Sequence, residues 1–137
     1  MKKIYLGATM LLLALGFNGC ATVYSSGGTV AAFGVEKNAS KSDVVRITAA
    51  NRMSIWKIDG ERKVGIINMM TSGGLKEVTL PAGEHKLGCA LGRDIWIGAI
   101  NYEAGHDYLV NYDIEESKIY YWVEDLTAKS VVYGKKR

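Results

Sequence analysis

Hydrophobic and polar residues alternate along much of this chain after residue 44, with the period of two that is typical of β-strands. Residues 108–114 show it clearly, because one face of a strand there would carry Tyr108, Val110, Tyr112 and Ile114. Further β-branched or aromatic runs lie at 44–50, 53–58, 64–70, 75–80, 85–91, 95–102, 118–125 and 131–133. These runs predict an all-β domain over residues 44–137.

Turn residues separate the runs. Asp59-Gly60 is a strong tight-turn pair and predicts a hairpin over 53–66, because glycine accepts a positive φ. Further breaks lie at 71–74, 81–84, 92–94, 103–107 and 115–117. No segment has a convincing amphipathic-helix period. About seven to nine short strands separated by turns therefore predict an antiparallel β-sandwich or open barrel.

Residues 20–43 have a different composition, rich in Ser, Gly, Ala and Thr. Such a segment is typical of a flexible tether that would hold the domain away from a membrane. It also contains a short apolar patch, VAAFGV, at 30–35. The patch could instead form a first strand, and the sequence leaves both interpretations open.

The N-terminus has the order of a secretory signal. Lys2 and Lys3 precede a mostly apolar segment at 4–17, and the small residue Gly19 stands before Cys20. At about 1.5 Å per helical residue this segment is shorter than the roughly 30 Å hydrocarbon layer that a permanent membrane helix crosses. Residues 1–19 are therefore predicted to be a cleaved signal peptide.

Residues 17–20 resemble the lipobox of bacterial lipoproteins, in which a cysteine is acylated and the signal is cut before it. Gly19 and Cys20 fit that pattern, whereas Phe17 and Asn18 depart from it. The resemblance implies a lipid on Cys20, and several acyl chains anchor a protein far more firmly than one. Ala21 stands where an aspartate would resemble an inner-membrane retention signal, which favours the periplasmic face of the outer membrane. The alternative is ordinary cleavage, which leaves a free thiol on a soluble periplasmic protein.

Length and charge limit the classes of function. Removal of residues 1–19 from the chain of 137 residues leaves 118, which suits one domain, and loss of Lys2 and Lys3 lowers the formal charge from +3 to +1. No block of five or six like charges occurs, so nucleic-acid binding is not predicted, and the tail at 135–137 is expected to be solvated. With Cys20 acylated, Cys89 has no partner for a disulfide, and stability must come from an apolar core.

The IDG at 58–60 and the VTLPAGEHKL at 78–87 resemble the PEGA-type repeat of envelope proteins. In that family a Val/Ile-Asp-Gly turn is followed by a Leu-Pro-x-Gly-x-His connection between strands. The resemblance extends loosely into 102–112. It implies a small β-sandwich and an envelope location, and it brings no catalytic residues with it.

Candidate chemistry centres on Cys89. His85, Leu87, Cys89 and Leu91 would share one face of a strand, but residues 85 and 89 then lie about 13 Å apart at roughly 3.3 Å per residue. That distance is too long for His85 to activate the thiol by a hydrogen bond. Pairing with His106 would need a sheet contact that the sequence does not reveal. We therefore expect a buried, inert Cys89 and no enzymatic activity.

Metal and cofactor sites are also not predicted. Glu84, Glu103, His106 and Asp107 could supply ligands, but their spacing matches no known metal motif. The adjacent Glu115 and Glu116 would point to opposite faces of a strand. No P-loop, nucleophile elbow or dinucleotide fingerprint is present.

The aromatic residues are better candidates for a functional surface. Tyr120 and Trp122 alternate with Ile119, Tyr121 and Val123, so one of the two sets could be exposed. Exposed aromatics suit recognition of glycans or proteins. The candidate interaction surface consists of Tyr120, Trp122, Asn111 and Asp113; the alternative is that both faces of this strand are covered.

These expectations define a membrane-anchored periplasmic lipoprotein that acts as a non-enzymatic binding or assembly module, with an envelope protein or the cell wall as its partner. The alternative is a lipoprotein that captures a ligand, a glycan or a hydrolase through exposed aromatic residues. Exposure of Tyr120 and Trp122 would favour the alternative, whereas burial of both would favour assembly through a sheet edge.

Overall fold

The described part of the chain folds mainly into β-strands. The computed structural model describes residues 21–25, 28–64 and 74–137, and their side chains from residue 30 onward. The strands are β1 (Ala21–Ser25), β2 (Gly28–Ala32), β3 (Val44–Ala49), β4 (Ser54–Ile58), β5 (Glu61–Arg62), β6 (Leu75–Pro81), β7 (Gly83–Ala90), β8 (Asp94–Tyr102), β9 (Asp107–Glu115), β10 (Lys118–Asp125) and β11 (Ser130–Gly134). One 3-10 helix spans Lys41–Asp43, and the described residues contain no α-helix. The predicted all-β class is confirmed.

The strands form one sheet in the order β11-β10-β9-β3-β6-β4-β7-β8. Strand β2 joins β6, β1 joins β2, and β5 joins β4. Most neighbours are antiparallel, but β2 runs parallel to β6 and β3 runs parallel to β9. The β7–β8 hairpin lies at one end of the sheet, and the consecutive strands β9, β10 and β11 lie at the other. The middle of the sheet therefore depends on pairings that are distant in sequence.

The two end strands, β8 and β11, approach each other and nearly close the sheet into a barrel. The hydroxyl of Tyr121 donates to the carbonyl of Trp96 over 3.5 Å. The ring of Tyr133 lies against Gly98, where an added Cβ would stand 3.4 Å from a ring carbon. Tyrosine side chains thus fill the seam between β8 and β11, and the predicted open barrel is confirmed.

The core lies inside this curved sheet. Its largest fully buried side chains include Tyr102, Tyr108, Ile47, Met53, Ile55, Leu80, Leu87 and Ile97. Tyr102 and Tyr108 meet edge to face with ring centroids 4.7 Å apart. Burial of each large apolar side chain contributes about 1.5–3 kcal/mol before the entropy of ordering is counted. The core therefore accounts for the stability of a domain without a disulfide.

The predicted turn at Asp59-Gly60 is confirmed. Both residues have a positive φ, 52° and 83°, which is the geometry of a tight hairpin turn that follows the twist of the strands. The hairpin ladder is short, since Lys57 pairs with Arg62 and Ile58 with Glu61. Most of the strand predicted at 64–70, and the break at 71–73, lie outside the described residues.

The predicted faces of the 85–91 strand are confirmed in its centre, where Leu87 and Cys89 are buried. The ladder between β7 and β8 shifts after His85, so that Gly98 and Ala99 lie opposite Lys86. This irregularity is a β-bulge, which increases the local twist and helps the sheet to curl.

The segment expected to be a tether contains strands. Ala31 is 2% exposed, and Phe33 packs against the core while its amide donates to the carbonyl of Thr79 over 3.0 Å. For residues 30–32 the structure shows the strand alternative, because β2 covers a backbone edge of β6 that would otherwise be exposed. The prediction of a flexible tether over residues 20–43 therefore differs from the structure at β1 and β2, which are strands. Cys20 and the predicted signal peptide lie outside the described residues.

Within the part of the chain that the structure describes, no helix has the length and apolar character needed to cross a bilayer.

Candidate functional site

The predicted interaction surface comes together across β9 and β10. Trp122 lies opposite Asn111, and Tyr120 lies opposite Asp113. Trp122, however, is only 3% exposed. Its Nε1 donates to an oxygen of Glu124 over 3.1 Å, and the amide nitrogen of Asn111 donates to the same oxygen over 3.3 Å. Trp122 is thus a buried member of a hydrogen-bond network.

The C-terminal tail, residues 135–137, covers much of this face. Lys136 pairs with Glu124 at 3.0 Å, and Arg137 pairs with Glu115 at 2.7 Å. The guanidinium of Arg137 also lies 3.9 Å from the ring centroid of Tyr120, which is half-buried. The hydrogen bond from Lys136 lowers the pKa of the Glu124 carboxyl, although partial burial opposes it. The tail expected to be solvated therefore has partners on the domain.

Cys89 lies near the C-terminal end of β7 and is fully buried. Burial raises the pKa of its thiol to about 12, so the thiol is protonated at neutral pH. His85 is engaged elsewhere, because Nδ1 lies 2.7 Å from a carboxylate oxygen of Asp59 and Nε2 lies 2.7 Å from the carbonyl oxygen of Pro81. These contacts leave His85 with a structural role at the β4–β5 turn.

His106 forms a second structural pair. Its Nδ1 donates to the buried carboxylate of Asp125 over 2.7 Å, and its Nε2 lies 3.4 Å from Glu103. The other oxygen of Asp125 accepts the amides of Thr127 and Ala128. The hydrogen bond to Asp125 raises the pKa of His106, against the effect of burial. For Asp125, burial alone would raise the pKa, but the amide of Ala128 and His106 outweigh it and lower it.

Three ligand atoms of Glu103, His106 and Asp125 lie within 4.8 Å of one another. Nδ1 of His106 is already hydrogen-bonded to Asp125, and its Nε2 pairs with Glu103. These contacts account for the cluster as a structural ion-paired network. Of the other metal candidates from the sequence, Asp107 pairs with Arg46 at 3.1 Å and Glu84 is exposed.

Among the side chains that the structure describes, the exposed large aromatic residue lies elsewhere, on β8. Trp96 is 51% exposed, and its ring centroid lies 5.9 Å from that of Trp56 on β4. The ammonium of Lys57 lies 4.8 Å from the Trp56 ring and 4.9 Å from the Trp96 ring, and Arg62 lies 5.3 Å from Trp56. We call Trp56, Lys57, Arg62 and Trp96 the Trp96 surface.

Strand register assembles this surface. Lys57 pairs with Gly88, and Gly88 pairs with Trp96, so the two side chains flank a residue without a side chain on adjacent strands β4, β7 and β8. An added Cβ on Gly88 would stand 2.9 Å from Cζ3 of Trp96 and 2.8 Å from Cβ of Lys57. Glycine at this position therefore lets the indole lie across β7.

The Trp96 surface could not be predicted from the pattern of residues along the chain. Trp56 and Trp96 are 40 positions apart along the chain and meet only through the pairing of three strands. A cationic residue next to Trp56 in the sequence was a weak signal, because adjacent strand residues point to opposite faces unless a bulge intervenes. The β4 ladder does shift between Ile55 and Lys57.

Comparison with known proteins found no matching family model, curated protein or solved structure.

Proposed function

We propose that this chain is an exported lipoprotein, anchored through an acylated Cys20 to the periplasmic face of the outer membrane. Its β domain then serves as a non-enzymatic binding or assembly module of the cell envelope. The order of charged, apolar and small residues before Cys20 supports export and lipidation. The anchor would keep the domain near its partner and raise the effective concentration of both.

The observation that carries the binding role is the contrast between reactive and exposed groups. Cys89 is buried with a raised pKa, and His85 and His106 are held in hydrogen bonds to Asp59 and Asp125. Trp96, in contrast, is half-exposed beside the ammonium of Lys57, and Arg62 lies against the neighbouring Trp56. A molecule whose reactive side chains are occupied and whose aromatic surface is open is suited to recognition.

Replacement of the cysteine tests the anchor. We expect Cys20→Ser to abolish acylation, so that the protein loses the mass of its acyl chains and leaves the membrane fraction. Intact-mass spectrometry and membrane fractionation of the expressing cells measure both effects. Unchanged mass and fractionation in Cys20→Ser would overturn the proposed lipoprotein function.

Crosslinking in membranes tests the assembly role. We expect mass spectrometry to recover a specific envelope protein with the wild-type chain, in excess over an unrelated domain carrying the same lipid anchor. The control removes partners that are captured only because both proteins share a membrane. Equal recovery with both anchored proteins would contradict assembly with an envelope protein.

Capture of a ligand, glycan or hydrolase is the second candidate function, and the Trp96 surface favours it. The sequence placed this function on Tyr120 and Trp122, but Trp122 is buried and Arg137 lies over Tyr120. An exposed indole with adjacent positive charge offers the same recognition chemistry on β4, β7 and β8.

A further inference from the structure

We infer that the Trp96 surface binds an acidic saccharide, a sugar ring that carries a carboxylate or phosphate group. The inference rests on the proposed envelope function and names the ligand class for it. It combines three features of the surface: an open aromatic face, a local excess of positive charge, and a support that holds both in place.

The aromatic face comes from Trp96. Its indole is 51% exposed although it contacts Gly88 and the Lys57 ammonium. The apolar face of a pyranose ring can stack on such an indole and remove apolar surface of both partners from water. Ile114 is similarly exposed, at 53%, but it has no aromatic face to offer.

The charge comes from Lys57 and Arg62. Among the residues that the structure describes, neither side chain forms an ion pair with a carboxylate, whereas the nearby Lys63 pairs with Glu61 at 2.8 Å. Two positive charges beside two indoles, without a neutralising carboxylate, complement an anion. A carboxylate or phosphate on the sugar ring can pair with Lys57 or Arg62 while the ring stacks on Trp96.

The support comes from adjacent strands of the sheet. Lys57 is held between two indoles at 4.8 and 4.9 Å, and Trp96 lies across β7 at Gly88. Ordered side chains lose little conformational entropy when a ligand binds. The surface is therefore arranged for a ligand before the ligand arrives.

The orientation of Trp96 favours a sugar over a lipid bilayer. An aromatic residue that anchors a protein in a bilayer inserts beyond the protein surface among the acyl chains. The benzo ring of Trp96 instead lies against β7, with Cζ3 close to Gly88. The part of the Trp96 side chain that stays exposed is therefore available to a ligand at the protein surface.

Calorimetric titration of the full-length chain in detergent micelles tests the inference. The acidic probe is a soluble peptidoglycan tetrasaccharide without stem peptides, whose muramyl carboxylates are free, and the neutral probe is chitotetraose. We expect the acidic fragment to bind at least about tenfold more tightly than chitotetraose. We also expect Trp96→Ala and Lys57→Met to weaken its binding at least about tenfold, since Lys57→Met keeps the aliphatic stem and removes the charge.

Two matched variants serve as controls. Ile114→Ala removes an equally exposed apolar side chain, and Lys118→Gln removes a surface positive charge on another part of the sheet. Both are expected to bind the acidic fragment as the wild type does. Circular dichroism is used to check that Trp96→Ala and Lys57→Met keep the fold.

Several results would overturn the inference: no binding of the acidic fragment, equal binding of chitotetraose, or unchanged binding by folded Trp96→Ala. Tighter binding to phosphatidylglycerol vesicles than to the fragment, lost in Trp96→Ala, would assign the surface to membranes instead. Cys20→Ser is expected to bind the fragment normally. Failure of the lipid anchor and failure of saccharide binding are thus separate outcomes.

Discussion

Asp59 shows how one residue can serve both the turn and the packing around it. Its φ of 52° suits a residue that tolerates the left-handed region. Its carboxylate accepts the amide of Lys86 over 2.9 Å and Nδ1 of His85 over 2.7 Å. Burial alone would raise the pKa of Asp59, but His85 and the Lys86 amide lower it. The carboxylate thereby joins the β4–β5 turn to β7.

Replacement of Asp59 by Asn isolates the charge, because asparagine accepts the same backbone conformation and can still accept the Lys86 amide. We expect Asp59→Asn to lower the free energy of unfolding by about 1 kcal/mol at neutral pH. Since the pKa of Asp59 is lowered in the folded state, its contribution is complete above the unfolded value near 3.8 and is lost as the pH falls through the folded value. Urea unfolding of both proteins from pH 2.5 to pH 7 measures it.

The difference between the wild type and Asp59→Asn should therefore shrink in acid. A difference that stays constant over this pH range would show that the carboxylate charge does not stabilise the turn.

The contribution of His106 to stability is expected to depend on pH in the opposite direction. Its folded pKa is raised, so the contribution of its pair with Asp125 is present below the unfolded value of 6.5 and is lost as the pH rises through the folded value. NMR titration of the imidazole protons should give a midpoint above 6.5 in the wild type. In Asp125→Asn the midpoint should fall, because the main cause of the shift is removed. An unchanged midpoint would contradict the pairing.

At the scale of the element, a strand's neighbours decide which of its residues are buried. The pattern at 108–114 predicts one face for Tyr108, Val110, Tyr112 and Ile114, yet Ile114 is 53% exposed. Strand β9 pairs with β3 only from Asp107 to Val110, and its remaining residues extend beyond that neighbour. Periodicity thus predicted the faces of β9 correctly, but it carries no information about how far the adjacent strand reaches.

Gly134 fixes the end of β11 on β10. Its φ is 73°, and an added Cβ would stand 2.6 Å from the carbonyl oxygen of Tyr121 and 3.2 Å from Cβ of Trp122. We expect Gly134→Ala to cost the backbone strain of a positive φ, about 1 kcal/mol, plus about 1–3 kcal/mol of steric strain. Urea unfolding and the NMR signals of the β11 amides report both the stability and the position of the strand.

Gly60→Ala is the matched control, because Gly60 has a φ of 83° but no atom within 4 Å of an added Cβ. It should cost only the backbone strain. Equal losses in the two variants would show that the contact of Gly134 with β10 contributes nothing.

At the scale of the whole molecule, the seam between β8 and β11 is the part of the barrel that tyrosines close. Tyr133 packs at Gly98, and Tyr121 donates to the carbonyl of Trp96. The alternation of residues predicted strands at 95–102 and 131–133. It could not predict that these two would face each other, because the order of strands depends on long-range pairing.

Removal of the Tyr133 ring should open this seam. We expect Tyr133→Ala to lower the free energy of unfolding by about 1–3 kcal/mol and to speed hydrogen exchange of amides in β8 and β11. Tyr120→Ala removes a half-buried tyrosine outside the seam and is the control for general loss of stability. Faster exchange in β8 with both variants alike would contradict a specific role of Tyr133.

Parts of the candidate site could be predicted from local sequence, and other parts depend on contacts between distant strands. Burial of Cys89 followed from its position on an apolar face, and the Asp59-Gly60 turn followed from local chemistry. The contact of Arg137 with the Tyr120 ring and the contact of Trp56 with Trp96 join segments that are distant in the sequence, so local pattern could not predict them. Local pattern determines which residues point together within one strand, whereas register between strands determines which of them meet.

The parallel pairing of β3 with β9 has a consequence for the rate of folding. It joins Arg46 to Asp107, which are 61 positions apart, and so a large loop must close before the middle of the sheet can form. The β7–β8 and β9–β10 hairpins need only short loops and are expected to form first. Stopped-flow refolding should therefore take milliseconds to seconds, with β3 among the last strands to gain protection.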